Sequence, residues 1–178
     1  EIVDCDWSSD VCSSDLIGKY EIKGRDYTFT FYCLSRKEWD IRSLKDKDGR
    51  SDATQINAVS PIGILEYAGR RLVFTGDSNE SNEKYYCETY PYVDCDVLKV
   101  AHHGSRTSSS EEFLQHVKCE YAVISVGSSY GHPKKETLDR LKANGIQKIH
   151  RTDKCGNVVL TVSHTGEMAF SCEKQCAA

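Results

Sequence analysis

Three short segments, Phe74-Thr75-Gly76-Asp77, Ala101-His102-His103-Gly104-Ser105 and Tyr130-Gly131-His132-Pro133, each place a metal-capable or acid/base side chain directly after an apolar run. A carboxylate and imidazoles raised on successive strand ends are part of what a divalent-metal hydrolase needs, because such ions take carboxylate oxygen and imidazole nitrogen. In α/β folds ligands gather beyond the carboxyl ends of strands, and Asp77, His102, His103 and His132 all fall there. Taken singly, Asp77 reads as a turn former or helix cap, and His132 as a local cap beside Pro133. The histidine pair is a stronger signal, since two adjacent imidazoles on a Gly-terminated strand gain little from packing. One can bind metal while the other positions substrate or shuttles a proton. Just beyond them, Gly104-Ser105-Arg106-Thr107 adds a cation and two hydroxyls suited to an anionic oxygen. Ser105 and Arg106 are candidate substrate contacts on that reading, and a polar loop capped by serines on the plainer one.

The elements that must carry these residues are legible in the pattern. Tyr20 to Ile22 and Tyr27 to Leu34 are rich in aromatic and β-branched residues and predict a hairpin. Arg36 to Thr54 is charged, lacks apolar periodicity and predicts a surface loop. Ile62 to Tyr67 and Arg71 to Phe74 predict a second hairpin about Ala68-Gly69-Arg70, and Ser81 to Tyr90 a short helix. Asp96 to Ala101 is a strand running into the histidines. Ser109-Ser-Glu-Glu112 has the form of a capping box, with Phe113, Leu114 and Val117 on one face of the helix that follows. Tyr121 to Val126 is a continuous buried-type strand. Pro133 opens a helix with Leu138 and Leu141 inside and Gly145 as its stop, and Lys148 to Thr152 is another strand. After the turn at Asp153-Lys-Cys-Gly156, Val158 to Val162 and Glu167 to Ser171 pair across His164-Thr165-Gly166. Helices alternate with strands in the middle and hairpins lie at the ends, which predicts layered α/β with mixed sheets.

Composition excludes some partners. The 178 residues suit one domain, and 23 Lys and Arg against 27 Asp and Glu give a net charge of -4, so no broad basic field attracts nucleic acid. A phosphate-bearing substrate would have to be held locally, by metal or by a few cations. No apolar run approaches the roughly 18 residues of a membrane span, and the start lacks the order of a signal peptide. Nine cysteines at scattered, odd-numbered count favour reduced thiols over a disulfide framework. Cys172-Glu-Lys-Gln-Cys176 is a weak metal signal that no second pair at zinc-ribbon spacing supports. Glu1 to Leu16 is unlike the rest: it repeats Ser-Ser-Asp, and Asp10 to Leu16 resembles a one-frame translation of a sequencing adapter. It is set aside as a non-native tail, with residues 17–178 treated as a partial domain.

In order, Leu72-Val-Phe-Thr-Gly-Asp77, Asp96-Val-Leu-Lys-Val-Ala-His-His-Gly-Ser105, Ala122-Val-Ile-Ser-Val-Gly127 and Tyr130-Gly-His-Pro133 resemble the metallo-β-lactamase-fold domain of the ComEC DNA-uptake family and its small stand-alone relatives. Asn57, Ile64-Leu65-Glu66-Tyr67, Arg151-Thr152-Asp153 and Gly156 continue the likeness, which covers about Ile56 to Val162. The resemblance implies an αββα sandwich with mixed sheets flanked by helices, and a one- or two-metal site, with zinc or manganese, at the sheet edge. It makes Asp77 the bridging carboxylate, His103 and His132 the further ligands, and His102, His103 and His132 the catalytic imidazoles. Its implied substrate is a phosphodiester or another ester, with DNA as one candidate; the large bacterial ComEC proteins carry transmembrane helices and some soluble relatives an export signal, and this sequence leaves the localisation of its own parent open.

The departure from the family pattern is large. Such domains begin with a strand bearing Asp and a loop of the His-x-His/Asp-x-Asp-His kind, and no such run stands in this sequence. The chain is therefore expected to be the C-terminal portion of the domain, truncated at its N-terminal side, feeble or inactive by itself, and prone to self-association through uncovered sheet edges. Two other classes compete. A non-catalytic module of the same fold would bind DNA or a partner. A serine hydrolase would use Ser129 in Gly127-Ser-Ser-Tyr-Gly131, with Asp153 and His164 following in triad order. Against the latter, Pro133 follows closely, the upstream strands form hairpins, and the histidine pair is left unexplained.

Overall fold

The computed structural model describes residues 18–33, 48, 56–127, 131–146 and 148–174. Nine strands are placed: β1 (Gly18–Lys23), β2 (Tyr27–Cys33), β3 (Ile62–Tyr67), β4 (Arg70–Phe74), β5 (Cys95–Lys99), β6 (Cys119–Ile124), β7 (Lys148–Arg151), β8 (Val158–Val162) and β9 (Met168–Cys172). Between them lie α1 (Glu80–Thr89), a 3-10 turn at Ala101–Gly104, α2 (Glu111–Val117), α3 (Lys135–Ala143) and the short α4 (Thr152–Cys155). The predicted loop from Arg36 to Thr54 lies, apart from Asp48, outside the described residues, as do the N-terminal tail and Ser129.

Strands β1 to β7 form one sheet in sequence order, antiparallel from β1 to β4 and parallel from β4 to β7. The architecture is α/β, a mixed sheet flanked by helices, as the pattern predicted. Each parallel step moves one place in the same direction, and parallel crossovers are right-handed, so α1, α2 and α3 must all land on one face. Alternation along the strands shows the result. Ile62, Ile64, Val73, Leu98, Ala122 and Ile124 share the helix face and are buried with Tyr86 of α1, Phe113, Leu114 and Val117 of α2 and Leu141 of α3. The rings of Tyr32 and Tyr86 meet edge to face at 5.3 Å between centroids, which ties β2 into this core.

The opposite face carries Phe29, Phe31, Leu65, Leu72, Phe74, Val97, Val123 and His150 by the same alternation. Here Phe29 lies across Gly63, where a Cβ would stand 2.8 Å from its ring, so only glycine lets the ring pack flat on the strand. Val97 is buried, but Phe74 remains 38% exposed. The hairpin of β8 and β9 is a separate two-stranded sheet set on this side. Its Phe170 stacks on His150 and Tyr121, with centroids at 4.3 and 5.0 Å. Among the described residues this hairpin is what corresponds to a second sheet layer.

One expectation is corrected. Cys95 and Cys119 are directly registered partners at the starts of the parallel neighbours β5 and β6, with Cα atoms 4.7 Å apart, and they form a disulfide. Scattered spacing in sequence hid a pairing that only sheet register creates. Cys155 is also disulfide-bonded. Cys87 behaves as the expected apolar thiol, its pKa pushed up to about 12 chiefly by burial.

Candidate functional site

The carboxyl ends of β4, β5 and β6 lie side by side, and each delivers its segment to the same edge. After β4, Thr75 is fully buried and its hydroxyl donates to the Lys99 carbonyl at 2.7 Å, which fixes the turn to the neighbouring strand. Gly76 follows with φ 50°, turning the chain so that its carbonyl accepts from the His102 amide at 3.0 Å. Asp77 is thereby brought beside the histidine pair.

The histidines themselves occupy strained backbone. His102 and His103 have φ 46° and 56°, a region non-glycine residues rarely adopt, so the predicted strand ends at Lys99 and the pair sits on a tight turn instead. The turn is held against the next segment at Gly104, where a Cβ would lie 2.5 Å from the Cβ of Pro133. The Gly104 carbonyl also accepts from the Lys134 amide. Glycine is required here both by φ 83° and by this close approach.

Four of the site residues predicted from sequence, Asp77, His102, His103 and His132, form a chain of neighbours. His103 hydrogen-bonds through Nδ1 to the Ser125 carbonyl at 2.6 Å, so that nitrogen carries the proton. The other nitrogen, Nε2, stands 3.6 Å from the Asp77 Oδ1 with its lone pair available. Two ligands on one tetrahedral ion would be about 3.4 Å apart, so this pair fits a divalent cation. His102 and His132 lie with ring centroids 6.1 Å apart, and His102 and His103 at 6.3 Å. The Nδ1 atoms of His102 and His132 are buried without a hydrogen-bond partner among the described residues. Such orphaned acceptors suit a cation better than they suit packing. Burial, and then the charges of Lys134, His102 and His103, hold the His132 imidazole below its ordinary pKa and favour the neutral, ligating form.

The other predicted contacts are placed differently. Ser105 is buried, its hydroxyl 3.0 Å from that of Thr107 and its carbonyl accepting from the Thr137 hydroxyl, so it builds the loop rather than facing outward. Arg106 is exposed on the same loop. Of the serine-hydrolase set, Asp153 is paired with Arg151 at 2.6 Å and His164 lies exposed in the β8–β9 turn.

Residues that no motif announced hold the loop in place. Glu83, fully buried in α1, accepts from the Ser109 and Ser110 amides at 2.6 and 2.8 Å. Arg140 of α3 donates to the carbonyls of Arg106, Ser108 and Ser109. One carboxylate thus takes the loop's N–H groups while one guanidinium takes its C=O groups. The helix cap predicted at Ser109 is made by Ser110, which accepts from the Phe113 amide, while Glu83 rather than Glu112 satisfies the preceding N–H groups. Lys99, mostly buried, lies near Asp77 and donates to the Val100 carbonyl; burial lowers its pKa against the pull of Asp77. Glu83 and Arg140 are ordinary helix-surface letters in sequence, so only the packing reveals them.

An α/β domain with a carboxylate and imidazoles converging at the carboxyl edge of its parallel strands is the class that these observations define. No family model matches the chain. It is 32% identical over 130 residues to ComE operon protein 3 of Bacillus subtilis (strain 168), covering 68% of this chain and 17% of that protein. It is 38% identical over 116 residues to competence protein ComA of Neisseria gonorrhoeae, covering 64% of this chain and 17% of that protein. To Recombination protein 2 of Haemophilus influenzae it is 33% identical over 119 residues, covering 62% and 14%. The chain is a homologue of one segment of the ComEC-type competence proteins, spanning about a sixth of their length. A solved hydrolase of the beta lactamase superfamily, AbOPH, superposes with a TM-score of 0.39 at 10% identity, over 90% of this chain and 71% of that one. A likeness that loose places no residue of the site.

Proposed function

We propose that this domain is the hydrolytic part of a competence protein, a metal-dependent phosphodiesterase or nuclease of the metallo-β-lactamase kind. Asp77, His103 and His132 would hold the divalent ion, zinc or manganese. The observation that carries the reading is the His103 Nε2 facing the Asp77 carboxylate at 3.6 Å while the Ser125 carbonyl fixes its tautomer. A bound ion supplies a Lewis acid for activating water and for neutralising charge on the ester oxygens. The chain's own groups do the rest. His103 is held in one orientation by its Nδ1 hydrogen bond. His102, wedged beside His132 by its left-handed backbone, is placed to accept or pass a proton. Arg106, exposed past the imidazoles, is a cation for a phosphate oxygen.

A two-metal centre needs more donors than Asp77, His103 and His132 supply, so turnover is expected of a longer protein that adds them. In such a protein, hydrolysis of DNA or a chromogenic phosphodiester should be abolished by a chelator, restored by zinc or manganese, and reduced at least about a hundredfold by Asp77→Ala. Full activity of that variant would refute the site. DNA binding with no metal-dependent turnover in the longer protein would instead favour the non-catalytic module.

A further inference from the structure

On the other face of the sheet, three strands along from the one that carries Asp77, three side chains with metal-binding atoms converge. His150 lies on β7, Cys155 ends α4 and is 1% exposed, and Cys172 ends β9. Their ligand atoms, one nitrogen and two sulfurs, all lie within 4.8 Å of one another. The Cys172 Sγ is 3.7 Å from the His150 Nδ1. Zinc bound tetrahedrally by two thiolates and an imidazole spaces those atoms about 3.5–3.8 Å apart, so the cluster is close to the required size. Its sulfur content selects a soft ion over magnesium or calcium.

The surroundings give the cluster a purpose. Among the described residues the β8–β9 hairpin makes no strand pairing with the seven-stranded sheet. It is held by the stack of Phe170 on His150 and Tyr121, by Arg70 donating to the Gly166 carbonyl at 2.6 Å, and by the Lys174 amide on the Cys155 carbonyl at 2.9 Å. A two-stranded hairpin alone is marginal in water. A link from β7 and α4 to the end of β9 adds a further tie beside those hydrogen bonds.

We propose that His150, Cys155 and Cys172 form a redox-gated site for a soft divalent cation of the zinc type, which pins the β8–β9 hairpin to the last strand of the main sheet. In the present structure Cys155 is disulfide-bonded. A dithiol reductant breaks that S–S bond by giving up two electrons and two protons and closing its own disulfide, which leaves Cys155 as a thiol. Zinc binding then releases one proton from Cys155 and one from Cys172 as both become thiolates. In the oxidised chain the Cys155 sulfur is held in a disulfide, and reduction frees it for the metal.

The test uses the whole chain, reduced with a dithiol, freed of it without oxygen, and titrated with cobalt(II). A thiolate-to-cobalt charge-transfer absorption should appear at a single equivalent in the reduced wild type and in Asp77→Ala, and not in the oxidised protein. Because Asp77→Ala removes the other candidate site, its failure and the failure of this one are read separately. Zinc should displace cobalt and raise the Tm of the reduced protein. Cys172→Ser and His150→Ala, each checked for native circular dichroism, should weaken binding by at least roughly tenfold and lose the zinc-dependent rise in Tm. They carry the test because Cys155 is too buried for its replacement to be a safe variant. No sulfur charge-transfer band in the reduced protein, or a band of unchanged affinity in both variants, would overturn the site.

Discussion

The two faces of the seven-stranded sheet differ in what they ask of their residues. The helix face is closed: Val73, Leu98, Ala122 and Ile124 are 0% exposed beneath Tyr86, Phe113 and Leu141. The opposite face keeps Phe74 38% exposed and is met by a hairpin that touches it mainly through Phe170. On the first face Glu83 and Arg140 hold the 106–110 loop that follows the His102-His103 turn. Looser attachment on the second leaves room for a cross-link at His150, Cys155 and Cys172. The lesson is that a singly wound set of crossovers spends all its helices on one side, so the two sides must be stabilised by different means.

Mutations can break this contrast. Phe113→Ala should cost the most, about 3–5 kcal/mol by chemical denaturation, while Phe74→Ala on the open face should cost about 1 kcal/mol. Equal costs would mean the faces are equally packed. Glu83→Ala should come next, at about 2–4 kcal/mol, because two amides lose their buried acceptor. Burial raises the Glu83 pKa above its ordinary 4.5 despite those two hydrogen bonds. The folded state then binds the proton more tightly than the unfolded chain does, so this group's contribution to stability falls as pH rises from 4.5 through the raised value. Stability measured over that window should decline less steeply in Glu83→Gln than in the wild type, and an unchanged slope would assign the titration elsewhere. The smallest stability effect belongs to Asp77→Ala, within about 0.5 kcal/mol because the side chain is exposed, although it should remove cation binding at the strand-end site as measured by calorimetry. A large loss of stability there would make Asp77 a structural residue.

Much of the fold was legible because its periodicities are local. β3, β6, β8 and the helices at 80–89, 111–117 and 135–143 fall within a few residues of where alternation, caps and Gly145 put them. Asp77 and His103 could be singled out because strand-end position is itself a sequence feature. The left-handed turn at His102 and His103 was not readable, since neither position carries the glycine that usually announces such backbone. Nor was the loop clamp, because Glu83 and Arg140 look like solvent-facing helix residues until α1 and α3 are set against the same loop.

The sequence by itself determined the strand and helix order, and with it an α/β mixed sheet bearing carboxylate and imidazole groups at its carboxyl edge. These follow from short-range hydrophobic period and turn chemistry, which act over a few residues. Tertiary structure alone decided which groups meet: Asp77 with His103, Glu83 with Ser109 and Ser110, Cys95 with Cys119, and His150 with Cys172. Each of those pairs spans 22 to 27 positions of chain, a separation at which sheet register and the side of a crossover, rather than local preference, set what comes within reach.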